Sequence, residues 1–351
     1  MRAGRLARLS LPLLVIAALA FTYPWFGRAF DTAVSTVRLR VGQLGTELGL
    51  VPETRGLMLG IYRPEVPYSM GRMEAMERAI GKPFDILSFY QTWGDREQDE
   101  FPHRLMRNAI EHGAMAMVTW EPWTTEFDRN RGRTAGRART DLREIADGAY
   151  DAYIREWARE AAIHGQVFLL RFAHEANNPQ YPWSIQASNR PEDFVAAWRH
   201  VWTLFQEAGA RNVVWVWSPR GAPPQELYPG GEYVDWIGVG VFNYGAFSAA
   251  GGWHSFEYVY DPIYRAALRY ERPIVIAELG TVALGGSQAD WFDAALDRIT
   301  TTYPQTKALV LFDNPADQTL PGAVIDWSIE DDAAVLAVFR RHVEEGALRQ
   351  R

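Results

Sequence analysis

The 351-residue chain contains no cysteine. A disulfide framework and thiolate-ligated metal are therefore excluded. The absence leaves the cellular compartment open. The body of the chain also lacks any dense Lys/Arg run, and the formal net charge is −7. Both features argue against a nucleic-acid partner. No glycine-rich phosphate loop follows any of the apolar runs described below, so dinucleotide binding has no support. A G-x-S-x-G nucleophile turn is missing. Where those runs end, only His174 is well placed as a metal ligand, so no metal and no other cofactor is expected. Internal repeats, low-complexity tracts and a second-domain linker are absent as well.

What is present is bulk and aromaticity. The chain is 48% hydrophobic and 13% aromatic, with 14 tryptophans, enough for a sizeable core. Large rings fill cores, but several of these tryptophans fall where apolar runs end, and there an indole can stack on a sugar face. Residues 1–26 stand apart. Arg2, Arg5 and Arg8 precede an apolar run from Leu9 to Ala20, with small residues at Ala18 and Ala20. That layout reads as an export signal. Continued through Phe21, Tyr23, Trp25 and Phe26, the run reaches roughly 18 residues, a length that also fits an uncleaved membrane anchor. The arginine flank stays cytoplasmic in either case. The expectation is an exported chain, periplasmic or extracellular, with attachment to the inner membrane through residues 1–26 left open. Residues 27–55 read as a connector, and residues 56–351 as one domain.

From Gly56 onward eight apolar runs recur: Leu57–Tyr62, Phe84–Tyr90, Ala114–Trp120, Val167–Phe172, Val213–Trp217, Trp236–Val241, Pro273–Ala277 and Ala308–Phe312. They are near-continuous, as strands covered on both faces should be. Helical segments lie between them. Asp141 to His164 carries an apolar stripe and stops at Gly165. Pro191 opens another helix that closes at Gly209. Asp290 to Thr302 and Asp331 to Glu345 are further helices, and Tyr244 to Phe256 is a loop rich in glycine and aromatics. Strand–helix alternation of this length predicts an α/β fold, a (β/α)₈ barrel, with a doubly wound open sheet as the alternative. The polar, arginine-rich insertion from Thr124 to Arg139 reads as a mobile loop over the barrel mouth.

Active sites of such barrels lie where the strands end. The fourth run delivers Arg171, His174, Glu175 and Asn177, and the seventh delivers Glu278. Glycoside hydrolysis needs two carboxyl groups, one protonated for the leaving oxygen and one charged. Glu175 and Glu278 are the natural pair. Trp120, Glu121, Trp123, Trp183 and Trp217 sit at or just past strand ends, and they are expected to line a groove for a polysaccharide, with at least two of the four tryptophans exposed.

The chain resembles glycoside hydrolase family 26, best known for endo-β-1,4-mannanases. The resemblance rests on Arg171…His174-Glu175-Ala176-Asn177…Tyr181-Pro182-Trp183-Ser184. Val214 to Pro219, Tyr228-Pro229-Gly230…Tyr233-Val234-Asp235-Trp236 and Ile276-Ala277-Glu278-Leu279-Gly280 add to it. It implies Glu175 as general acid/base and Glu278 as nucleophile. His174 would hydrogen-bond sugar or nucleophile, and Asn177 and Arg171 would support the carboxylates. Three departures concern substrate-binding positions. Gln180 replaces a tryptophan, Glu121 stands where mannanases often have histidine, and Phe242 replaces a tyrosine that bonds the nucleophile. Tyr244 is the expected substitute for that last group. The functional expectation is a retaining endo-β-glycanase acting on β-1,4-mannan or a related β-glucan or exopolysaccharide. The alternative is a catalytically silent carbohydrate-binding protein of a polysaccharide assembly or export system.

Overall fold

The structure, a computed structural model, describes residues 56–94, 96–128, 140–186, 189–248, 251–320 and 322–348. The expectations for residues 1–26 and 27–55, and for most of the insertion between Thr124 and Arg139, lie outside these residues. No helix among the described residues is long and apolar enough to cross a membrane.

Eight parallel strands close into a barrel in chain order. They are β1 (Met58–Tyr62), β2 (Ile86–Thr92), β3 (Met115–Glu121), β4 (Phe168–Phe172), β5 (Val213–Trp217), β6 (Trp236–Asn243), β7 (Ile274–Thr281) and β8 (Thr306–Phe312). The predicted (β/α)₈ barrel is the observed fold, and every predicted run forms a strand. Closure comes from β1, which pairs with both β2 and β8.

Helices surround the barrel: α1 (Gly71–Ile80), α2 (His103–Glu111), α3 (Thr125–Asp128), α4 (Leu142–Ala146), α5 (Asp151–His164), α6 (Pro191–Ala208), α7 (Phe256–Ala267), α8 (Gln288–Thr302) and α9 (Ala333–Glu344). The single helix expected from Asp141 to His164 is two, α4 and α5. Gly148, at φ +90°, takes a left-handed turn between them that no helix can continue through. Between β5 and β6 a 3-10 turn, Gln225–Leu227, replaces the helix of the repeat.

The strands divide their side chains by alternation. One set faces the helices and joins their core: Leu87, Phe89, Val118, Trp120, Leu170, Phe172, Trp215 and Trp217. The other set turns into the barrel: Ser88, Tyr90, Thr119, Glu121, Arg171, Gly238 and Gly240. Register carries the inner set around the wall, with Tyr90 opposite Thr119 and Thr119 opposite Arg171. One irregularity is decisive for the site. Val239 pairs with Ile276, but Gly240 pairs with Glu278, so Ala277 is an extra residue in β7. Strict alternation from Ile276 would send Glu278 toward the helices. The bulge instead brings it inward and returns Leu279 to the outer core.

Candidate active site

Glu278 enters the mouth from β7 and is buried. Its Oε1 accepts hydrogen bonds from Arg171 Nη2 at 2.5 Å and from the Tyr90 hydroxyl at 2.5 Å. Arg171, itself buried on β4, is held by Thr119, whose hydroxyl accepts from Nε at 2.9 Å. The guanidinium also lies over the Tyr90 ring, 5.6 Å from its centroid. Burial and the Glu278 charge push the Tyr90 phenol well above its usual range, so Tyr90 stays a donor. A guanidinium buried this deeply costs free energy unless its charge is matched, and Glu278 matches it.

Glu175 stands on the turn that follows β4. Ala173 and Glu175 both adopt left-handed backbone, at φ +43° and +49°. Non-glycine residues avoid this region, and such strain collects at functional sites. The turn holds because it is tied on several sides. The Glu175 amide donates to the Ser218 carbonyl at 2.7 Å. Asn177 donates to the Arg220 carbonyl at 2.9 Å and accepts from the Arg220 amide at 2.7 Å. Asn178 donates to Glu175 Oε2 at 2.7 Å. Burial, then the nearby Glu278 charge, raises the Glu175 pKa above the ordinary carboxylate value.

The two carboxylates meet above Gly240. A methyl group on that glycine would stand 3.6 Å from Glu278 Oε2 and 3.8 Å from Glu175 Oε1. Oε1 of Glu278 and Oε2 of Glu175 are held by protein donors. The remaining oxygen of each therefore faces the same small space, kept clear because residue 240 has no side chain.

His174 is buried beside Glu175. Its Nε2 lies 2.9 Å from the Tyr181 hydroxyl. Burial, and then the Arg171 charge, hold its pKa well below the usual histidine value, so the ring is neutral. Glu121, at the end of β3, accepts from the Trp123 indole at 3.0 Å. Burial raises its pKa to about 7.

The structure brings Arg171, His174, Glu175, Glu278, Glu121 and Trp123 together at one mouth. Other expectations need correction. Trp120 and Trp217 have outward parity and lie in the layer between strands and helices, Trp120 against Trp157 and Trp217 against Tyr228 and Tyr270. Trp183 is buried under His174 and donates to its carbonyl at 2.8 Å. None of these three can stack on a sugar in the groove. Of the four, only Trp123 is partly exposed. Asn177 does not bond a carboxylate but ties the loops after β4 and β5, and Asn178 takes the supporting place at Glu175. No hydrogen bond joins Tyr244 to Glu278. Tyr244 packs on Phe242 and Trp327 instead, and the phenol on Glu278 belongs to Tyr90. Tyr90 closed the second apolar run but was not among the expected site residues, because its inward parity shows only in the pairing with Thr119. Asn178 carried no separate signal, and Tyr181 stood in the family motif without a role of its own.

The sequence profile of Glycosyl hydrolase family 26 matches residues 118–298, just over half of the chain. The chain belongs to glycosyl hydrolase family 26. Endoglucanase H of Acetivibrio thermocellus is 30% identical over 303 residues, covering 83% of this chain and 31% of the relative. The mannan endo-1,4-beta-mannosidase of Bacillus subtilis is 26% identical over 175 residues, covering 47% of this chain and 41% of the relative. The chain thus spans less than half the length of these curated relatives. Among solved structures, a family 26 β-mannanase from Bacteroides ovatus superposes with a TM-score of 0.61 at 16% identity, covering 84% of this chain and 90% of that one. That likeness concerns the family 26 fold.

Proposed function

We propose that this chain is a retaining endo-β-glycanase, with Glu175 as general acid/base and Glu278 as nucleophile. The observation that carries the reading is the pair of oxygens facing one space above Gly240. Their separation cannot exceed the two distances to that shared point combined. This suits the roughly 5–5.5 Å spacing of retaining carboxyls better than most of the wider inverting range. Arg171 and Tyr90 restrain Oε1 of Glu278, and Oε2 attacks the anomeric carbon. Glu175, kept protonated by burial and by its charged neighbour, protonates the departing glycosidic oxygen. In the second step it takes a proton from water, which displaces Glu278 from the sugar.

A β-linked glucan is the favoured polymer. Gln180, Phe242 and Glu121 depart from the mannanase pattern, and the relative matched over most of this chain bears the name endoglucanase. A catalytically silent role loses its main support, because Tyr90 supplies the phenol that Phe242 lacks. Export, through residues 1–26, would bring the enzyme to an extracellular polymer. The test is a panel of mixed-linkage glucan, cellulose, mannan and xylan with reducing-end detection, and proton NMR of the first product. Release of β-anomer from a glucan is expected. Release of α-anomer rejects the retaining step, and no turnover on any polymer rejects the enzyme.

A further inference from the structure

Glu121 is the third carboxylate at the mouth and takes no part in the two steps above. Its Oε2 is held by Trp123, while its Oε1 makes no hydrogen bond among the described residues and lies 4.0 Å from Nδ1 of His174. That Nδ1 is sealed from solvent and has no hydrogen-bond partner among the described residues. A neutral imidazole carries one N–H, and its place decides the local network. With the proton on Nε2, the ring donates to Tyr181, and the Tyr181 hydroxyl is free to turn toward Glu175. With the proton on Nδ1, the Tyr181 hydroxyl donates to Nε2 and is used up there.

Several groups surround the ring. Arg171 from β4 only donates, and the Tyr90 hydroxyl from β2 is committed to Glu278. Trp183 donates to the backbone carbonyl of His174, and Tyr181 already occupies Nε2. Glu175 and Glu278 point to the space above Gly240. Glu121 on β3 is the carboxylate that faces Nδ1. Carboxylate torsions are soft, and a shift of about 1 Å brings Oε1 into hydrogen-bond range. A buried N–H left without an acceptor is costly, which favours that shift.

We propose that Glu121 is a positioning residue that fixes the His174 proton on Nδ1, so that Nε2 accepts the Tyr181 hydroxyl. Tyr181 then cannot donate to Glu175, and Glu175 keeps its own proton. This catalytic consequence rests on Glu175 being the acid, but the placement of the proton does not.

The two parts are tested separately. In the full chain labelled with ¹⁵N-histidine, the His174 signals are assigned by their loss in His174→Asn. A protonated Nδ1 and an unprotonated Nε2 are expected, and the Nε2–H form in the wild type overturns the proposal. Glu121→Leu should move the proton to Nε2, whereas Glu121→Gln, which keeps an acceptor, should leave it on Nδ1. An unmoved proton in Glu121→Leu also overturns the proposal. If Glu121→Leu does not fold, the wild-type and Glu121→Gln spectra decide. In kinetics, Glu121→Leu should lower kcat about tenfold with KM unchanged, and move the basic limb of the pH profile to lower pH. A moved proton with an unmoved basic limb would break the link from Glu121 to Glu175. Complete inactivity of the wild type would sink the glycanase reading and leave the proton assignment standing.

Discussion

Trp120 is sealed among Trp93, Trp157 and Phe205 in the layer between strands and helices. Glu121, the next residue, opens on the mouth between Trp123 and His174. One peptide bond separates a packing residue from a site residue, because β3 alternates its side chains across the barrel wall. The same division runs around the barrel. Outward positions carry indoles and phenyl rings, and inward ones carry Tyr90, Thr119, Arg171, Glu278 and the bare Gly240, with the rings of Phe242 and Phe312 on the β6 and β8 side. Position at a strand end is therefore half of the information, and parity is the other half.

The largest test of this division is Glu278→Ala, an inward change. It should reduce turnover by at least about 10⁴-fold while the protein stays folded, with partial rescue by azide giving the inverted glycosyl azide. Near-normal turnover would remove Glu278 from the mechanism. Arg171→Met strips the countercharge from Glu278 and should lower stability by about 3–5 kcal/mol, read by chemical denaturation. A loss below about 1 kcal/mol would mean that the buried pair is not the main support of this layer. Gly240→Ala places a methyl between the two carboxylates and should cut kcat/KM by about 10²-fold with little change in Tm. Full activity would show that substrate does not occupy that space.

Glu121→Gln separates the two faces by pH. Burial raises Glu121 to about 7 from an ordinary 4.5. Between those values the folded chain holds a proton that the unfolded chain has released, so this group lowers stability as pH rises from about 4.5 to 7. The amide should stabilise the fold at pH 8, by up to about 3 kcal/mol, and leave it unchanged at pH 4. Equal shifts at both pH values would contradict the burial. The smallest effect is the outward control. Trp120→Phe should cost about 1–2 kcal/mol of stability and leave KM alone. Trp123→Ala should do the reverse. A raised KM in Trp120→Phe would overturn the assignment of faces.

Much of this was legible beforehand. Uninterrupted apolar runs reveal buried parallel strands whatever their partners, so the eight strands and their order were readable. That Glu175 and Glu278 share one mouth was readable because parallel barrel strands converge their C-terminal ends there. The tryptophans were misjudged because a run such as Val213 to Trp217 is apolar on both faces and hides its own parity. The bulge at Ala277 is visible only in the pairing with β6. Asn178 was missed because Asn177 and Asn178 are chemically alike, and only the left-handed turn decides which of them reaches Glu175.

Asn177 has a consequence for inheritance and engineering. Its paired bonds to the backbone of Arg220 join the loop that carries Glu175 to the loop after β5. A chimera with its crossover between these loops would combine an asparagine with a partner backbone shaped for another sequence. The two segments, 173–178 and 218–220, form one exchangeable block, and functional recombinants within the family should carry both from the same parent.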